Sequence, residues 1–351
     1  RKGLNPLQPL YTTENAIAAM RQFQAQPYDK AITILPGIKI RFQDAGHILG
    51  SSIVELWLEK NGHSRKLVFS GDLGLKNRPI LRDPTTIHEA DLVLMESTYG
   101  DRLHRPFDQT LLELEDIFTQ ASRGKGNIII PAFTVGRTQE LLYLFSKYSD
   151  AWGLDNWHIF LDSPMAIEAT EVYERYTSLY DPETVQLWGH NGLYRRLPNL
   201  HFCRTTNQSM ALNRLVTGAI IIAGSGMCTG GRIKHHLKNH VWRKNCHLII
   251  PGFQARGTPG IAIVDGAQFI QLWGETVKIA AKVHTVGGLS AHADQNGLIE
   301  WYRGFSQKPP LMLVHGEKDS LESLSTKLKE TMNAPVTIAQ PGTTIDIASL
   351  A

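Results

Sequence analysis

Leu92-Val93-Leu94-Met95-Glu96-Ser97-Thr98-Tyr99-Gly100 sets four continuous apolar residues directly before a carboxylate. An unbroken apolar run of this length reads as a strand buried on both faces of a layered α/β protein. Glu96 then falls just past the carboxyl end of that strand. Phe69-Ser70-Gly71-Asp72 repeats the arrangement with Asp72, and Leu313-Val314-His315-Gly316-Glu317 repeats it with His315. Ligands of α/β sheets bind beyond the carboxyl ends of strands, so the three side chains are expected to meet on one rim. Any one of them is explained as well by a helix cap or a turn. Three at equivalent positions weaken that explanation.

Working outward, residues 66–70, 127–131, 158–161, 218–223, 247–251 and 311–314 are further strand-like runs. Between them Leu111, Leu114, Ile117 and Phe118 recur at helical spacing, as do Leu141, Leu144 and Phe145, and, near the start, Ile17, Met20 and Phe23. Residues 31–59 differ, alternating in character around turn residues at Pro36-Gly37 and Gly46, which predicts antiparallel hairpins. Residues 306–310 form a loop before the last core strand. The chain has no internal repeat and no low-complexity tract.

With 351 residues, 42% hydrophobic and 20% charged, the chain is long enough for about two domains and a large core. Metal ligands, if present, therefore serve chemistry rather than folding. A net charge of +3 permits an anionic partner without demanding one, and the absence of a run of five like charges argues for a groove rather than a charged tail. Cys203, Cys228 and Cys246 are odd in number and lack C-x-x-C spacing, which predicts a reducing, cytoplasmic compartment and no zinc-thiolate site. No run approaches the ~18 apolar residues of a membrane span. The chain opens on Arg1 rather than Met.

His47 lies in Gly46-His47-Ile48-Leu49-Gly50-Ser51, at a turn of the hairpin region where glycine permits close backbone approach. Histidine is the commonest protein ligand for zinc, and Asp can bridge two metals. His284 ends a predicted strand, and His292 sits in the small-residue turn Ser290-Ala291-His292-Ala293-Asp294, which suits an imidazole to proton transfer. His63, His88, His104, His158, His190, His201 and His247 are expected to be structural or solvated. Two Gly-rich strand-to-helix turns could hold phosphates: Gly224-Ser225-Gly226-Met227-Cys228-Thr229-Gly230-Gly231-Arg232, and Thr134-Val135-Gly136-Arg137. Neither is a Walker A loop or a G-x-G-x-x-G fingerprint.

In order along the chain, Gly46-His47-Ile48-Leu49-Gly50-Ser51, Ser70-Gly71-Asp72, Glu96-Ser97-Thr98-Tyr99-Gly100, Ser290-Ala291-His292-Ala293-Asp294 and Val314-His315-Gly316-Glu317 resemble the motifs of the β-CASP nucleases of metallo-β-lactamase fold. The similarity is to the branch of the cleavage-and-polyadenylation endonuclease and its short bacterial and archaeal relatives. Pro131-Ala132-Phe133-Thr134-Val135-Gly136-Arg137, Asp162-Ser163-Pro164-Met165-Ala166 and the Gly-rich turn ending in Arg232 look like that branch's inserted domain.

The resemblance implies an α/β protein: a four-layer αββα metallo-β-lactamase core at residues 1–100 and 287–351, with a β-CASP domain inserted at 101–286. It implies that His47, Asp72 and His315 bind zinc, with Asp72 bridging two ions in the intact enzyme. Glu96 and His292 would form a proton-transfer pair. Arg137, Ser225, Gly226, Gly230, Arg232 and Ser290 would contact the RNA or its phosphates. The expected activity is metal-assisted hydrolysis of RNA to 5′-phosphate and 3′-OH ends, with RNA in the cleft between the domains. An RNA substrate and a second copy of the chain are the expected partners, and a membrane is not. The family's H-x-H-x-D-H motif, source of four more ligands, is absent from this chain, which is therefore expected to be poorly active by itself. A DNA nuclease on the same fold, a non-catalytic RNA-binding subunit and a small-molecule hydrolase are the alternatives. The retained ligands argue against the second, and the insert argues against the third.

Overall fold

The computed structural model describes residues 9–189 and 192–350; His190 lies outside them. Along the chain come strands β1 (Ile32–Leu35), β2 (Ile38–Asp44), β3 (Ser52–Lys60), β4 (His63–Phe69) and β5 (Leu92–Met95). Next are β6 (Ile128–Pro131), β7 (His158–Leu161), β8 (Leu200–Phe202), β9 (Ala219–Ala223), β10 (His247–Ile250), β11 (Phe269–Leu272), β12 (Glu275–Lys278) and β13 (Lys282–Thr285). β14 (Leu311–Leu313) and β15 (Val336–Ile338) close the set.

Two large sheets result. The first is seven-stranded, in the order β1-β2-β3-β4-β5-β14-β15. β1, β2 and β3 are the antiparallel hairpins expected of residues 31–59, and β4 adds a fourth antiparallel strand. β3 and β4 are joined by Asn61-Gly62, both at positive φ, the two-residue turn whose twist matches that of the flanking strands. From β4 onward the pairing is parallel. The second sheet is wholly parallel, in the order β13-β10-β6-β9-β7-β8.

Both faces of the second sheet are covered, which is why its strands read as continuous apolar runs. Ile128, Ile130, Ile220 and Ile222 pack on the helices Phe107–Gly124 and Arg137–Lys147, while Ile129, Ile221 and Leu248 pack on the helix Ile233–His240. In the first sheet, Val68, Val93, Met95, Leu311 and Leu313 meet the helices Gln295–Arg303 and Lys318–Met332. The opposite face carries Ile40, Val54, Leu56, Leu58, Phe69 and Leu94 in register, all only half-buried. An apolar sheet face of this extent has to meet another layer, as the αββα arrangement provides.

The helix Thr13–Met20 takes in Ile17 and Met20 of the predicted periodic set, with Phe23 beyond it, and none of the three is buried. No helix of the described residues is long and apolar enough to cross a membrane.

Candidate active site

Asp72, Glu96 and His315 leave the carboxyl ends of β4, β5 and β14, which are consecutive and parallel in the first sheet. The sequence expectation that they share a rim is met. The His315 carbonyl accepts the Ser97 N–H at 3.0 Å, tying the loops after β5 and β14 together, and His315 itself sits in the left-handed region at φ 49°. A non-glycine residue held there is uncommon, and such positions cluster at functional sites.

His47 reaches the same rim from the β2–β3 turn. Here a glycine is required by contact: a Cβ on Gly74 would fall 1.8 Å from the Gly46 carbonyl oxygen. The turn bearing His47 and the loop bearing Asp72 can therefore lie directly on each other. Asp72 is the shared member. His47 Nε2 is 4.0 Å from its Oδ2, and His315 Nδ1 is 3.3 Å from its Oδ1. Donor atoms of His47, Asp72 and His292 form one group within 4.8 Å, and those of Asp72, Glu96 and His315 form another. Imidazole nitrogens around a half-exposed carboxylate are a donor set that suits zinc.

Glu96 and His292 are the second element of the site. His292 Nδ1 lies 3.2 Å from both Glu96 carboxylate oxygens. Glu96 is buried, and it also accepts from the Leu73 N–H at 2.6 Å and the Thr98 hydroxyl at 2.5 Å. Burial pushes its carboxyl up, but the His292 hydrogen bond and charge, with the two further donors, outweigh burial and hold it below the usual range. Burial likewise pushes His292 down, and the Glu96 carboxylate more than reverses it, so His292 is held above its ordinary value. His47 goes the other way, lowered by burial and by the charge of His292, whose ring centroid is 4.3 Å away.

The turn of His292 is strapped down on several sides. Ala293 N–H donates to the Leu73 carbonyl at 2.7 Å, and Asp294 caps the helix Gln295–Arg303 through the Gly297 N–H. His104, expected to be structural or solvated, supports this turn: its Nε2 is 3.1 Å from the His292 carbonyl, and its N–H donates to Asp294. Thr98 and His104 thus belong to the site although sequence reasoning gave them no role there. The Glu-Ser-Thr-Tyr run marked Thr98, whereas nothing local marked His104.

The expected phosphate-contacting residues divide. Ser290 lines a small cavity with His47 and Gly136. Ser225 Oγ accepts from the Thr229 and Gly230 N–H groups of its own turn, with Gly226 and Gly230 in the same loop. Arg232 turns inward. Nη1 donates to fully buried Asp162 at 2.7 Å and to the Cys203 carbonyl at 2.7 Å, and Nη2 donates to the Arg204 carbonyl. Asp162 also accepts from His236 and Ser209, both at 2.6 Å. Arg137 is buried and paired with Glu140. Both guanidiniums are committed to internal carboxylates, because the loops that carry them are anchored to the sheet behind them. His284 stacks on His247, with Nε2 2.9 Å from its Nδ1, and belongs to neither of the two donor groups.

Residues 138–263 match the Beta-Casp domain family, and residues 276–339 match the Zn-dependent metallo-hydrolase RNA specificity domain. Ribonuclease TTHA0252 of Thermus thermophilus is 36% identical over 337 residues, covering 95% of this chain and 75% of that protein. The RNase J-like protein of Methanocaldococcus jannaschii is 31% identical over 350 residues, covering 99% and 80%. Transcription termination factor FttA of Thermococcus kodakarensis is 28% identical over 336 residues, covering 93% and 51%. The motif order, the two-sheet architecture and these similarities agree, and the chain belongs to the β-CASP ribonuclease family of zinc-dependent, metallo-β-lactamase-fold hydrolases.

Proposed function

We propose that the protein hydrolyses RNA phosphodiester bonds to 5′-phosphate and 3′-OH ends, with RNA bound between the parts of the chain that carry the two large sheets. The observation that carries this reading is that the hydrogen-bonded pair His292–Glu96 stands within the two donor groups that share Asp72, His292 with His47 and Glu96 with His315. Zinc would be held by His47, Asp72 and His315. When bound, it supplies a Lewis acid that stabilises charge on the phosphoryl group and lowers the pKa of water at the site.

The chain's own residues do the rest. Glu96 accepts from His292 Nδ1 and so fixes the ring. His292 can then present its Nε2–H to the departing 3′ oxygen, a proton transfer of the general-acid kind. Leu73 N–H and the Thr98 hydroxyl hold Glu96 in place, so the imidazole is oriented before substrate arrives.

Domain limits of 1–100, 101–286 and 287–351 belong to the same reading. They are supported by the strands, since no strand of either large sheet crosses 100 or 286. Three free, buried cysteines support a reducing, cytoplasmic setting. A homodimer stays part of the proposal with no surface assigned to it.

Cleavage of matched RNA and DNA strands, followed by end analysis, tests the reading. RNA cut faster than DNA, with 5′-phosphate products, is expected. Equal rates on both would favour a DNA nuclease, and no cleavage by the metal-loaded intact enzyme would favour a non-catalytic subunit.

A further inference from the structure

β10, β6 and β9 are consecutive in the six-stranded sheet, so the loops that follow them, residues 251–257, 132–137 and 224–232, lie side by side on its carboxyl rim. The strands β6 and β10 are buried along their whole length, yet two and three residues beyond them Phe133 and Phe253 are 44% and 52% exposed. A lone exposed phenylalanine needs no explanation. Two on neighbouring loops, with both loops in contact with one glycine, call for one. A Cβ on Gly226 would fall 2.9 Å from Phe133 Cδ2, so the Phe133 ring lies flush against the Gly-rich turn. Gln254, next to Phe253, donates its Nε2–H to the Gly226 carbonyl at 3.0 Å.

The charge on these loops is one-sided. Together they contain Arg137, Arg232 and Arg256 and no Asp or Glu. The first two are internally paired, whereas Arg256 is exposed and makes no ion pair among the described residues. The loop after β6 also reaches the catalytic cluster. A Cβ on Gly136 would fall 2.9 Å from Ile48 Cγ2, in the residue following His47. An aromatic, carboxylate-free rim leading to a phosphodiesterase site has the chemistry that unpaired nucleic-acid strands use. Every base offers a π-face whatever its identity, and its backbone seeks a cation.

We propose that Phe133 and Phe253 are a stacking surface for unpaired bases of the RNA strand, with Arg256 contacting its backbone. This rests on the RNA reading above and adds the residues on which the bases would stack.

Anisotropy of a short fluorescein-labelled single-stranded RNA, and of the same sequence as a duplex, tests it on the full chain without added metal. Phe133→Leu and Phe253→Leu keep an apolar side chain and remove the π-face. Each should weaken single-strand binding about 5- to 100-fold, the loss of one base stack. Duplex binding, melting temperature and the log–log salt slope should stay at wild-type values, because a stack neutralises no phosphate. Arg256→Gln should instead lower the slope by about 0.7. Wild-type single-strand affinity in both leucine variants, or equal losses on duplex and single strand, would overturn the stacking surface alone. A wild-type chain that binds no single-stranded RNA would sink the RNA reading with it.

Discussion

His292 Nδ1 stands 3.2 Å from each carboxylate oxygen of Glu96, although 196 residues separate the two in sequence. Glu96 is 1% exposed, and Leu73 N–H and the Thr98 hydroxyl occupy it as well. A buried carboxylate with this many donors is held in one orientation, and it holds the imidazole in turn. Glu96→Gln keeps the shape but replaces one acceptor oxygen with an NH2 group. It should slow RNA cleavage less than loss of the imidazole does, with RNA affinity near wild type. Equal loss in Glu96→Gln and His292→Ala would mean that Glu96 does more than orient the ring.

Metal content follows from the donor count. The proposed ligands His47, Asp72 and His315 are three, and zinc sites use four, or three plus water. The 351-residue chain should therefore retain zinc weakly, and Asp72→Asn should remove most of what is retained, because Asp72 stands between both imidazoles. Elemental analysis after exhaustive dialysis decides. Two tightly held zincs per chain would show that further ligands exist.

Arg232 is expected to act on the fold. Its guanidinium fills the buried Asp162 carboxylate and two carbonyls, a planar fork that lysine cannot copy. Removing one partner of a buried pair leaves the other charge uncompensated, so Arg232→Ala should cost about 3 kcal/mol, and Arg232→Lys should recover little of it. Chemical denaturation measures this. The salt slope of RNA binding should not move; a fall of about 0.7 with unchanged stability would return Arg232 to the phosphate-contacting set.

Acid should destabilise the part of the chain that carries the parallel sheet. Burial, with the charges of His236 and Arg243, pushes His240 down to about 3. Burial, with His284 and Lys282, pushes His247 down to about 4. Below the ordinary histidine value the unfolded chain takes up protons that the folded chain refuses. Stability must then fall as pH drops from ~6.5 toward those values, by at most ~1.4 kcal/mol per pH unit for each imidazole. His240 is fully buried, and among the described residues its ring finds no more than a weak backbone contact at Leu212, so His240→Leu should be neutral or stabilising at pH 7.5. Its advantage should widen at pH 5. Parallel stability–pH curves for variant and wild type would refute the assignment.

The site's frame was legible from sequence because Asp72, Glu96 and His315 each follow a buried strand, and adjacent parallel strands must bring their carboxyl ends together. Asp72, Glu96 and His315 needed only that rule. His292 and His47 needed the motif order. Arg232 could not be placed this way: a Gly-rich turn before a helix suggests an anion site, and only the fold brings in Asp162, 70 residues earlier, to occupy the guanidinium. His104 was missed for the same reason, since its partners His292 and Asp294 lie about 190 residues away. Phe133 and Phe253 carried no reading of their own in the sequence, and their exposure follows from where the strands stop.

The most direct test of the account is His292→Ala in the intact enzyme, with zinc content, melting temperature, RNA affinity and cleavage rate measured on one metal-loaded preparation. His292 is not among the proposed zinc ligands, so zinc, stability and affinity should stay near wild type while the rate falls about 10²- to 10⁴-fold. The defect should shrink on a substrate whose leaving oxygen is already acidic. A fully metallated, fully folded His292→Ala enzyme that cuts RNA at the wild-type rate would contradict the account.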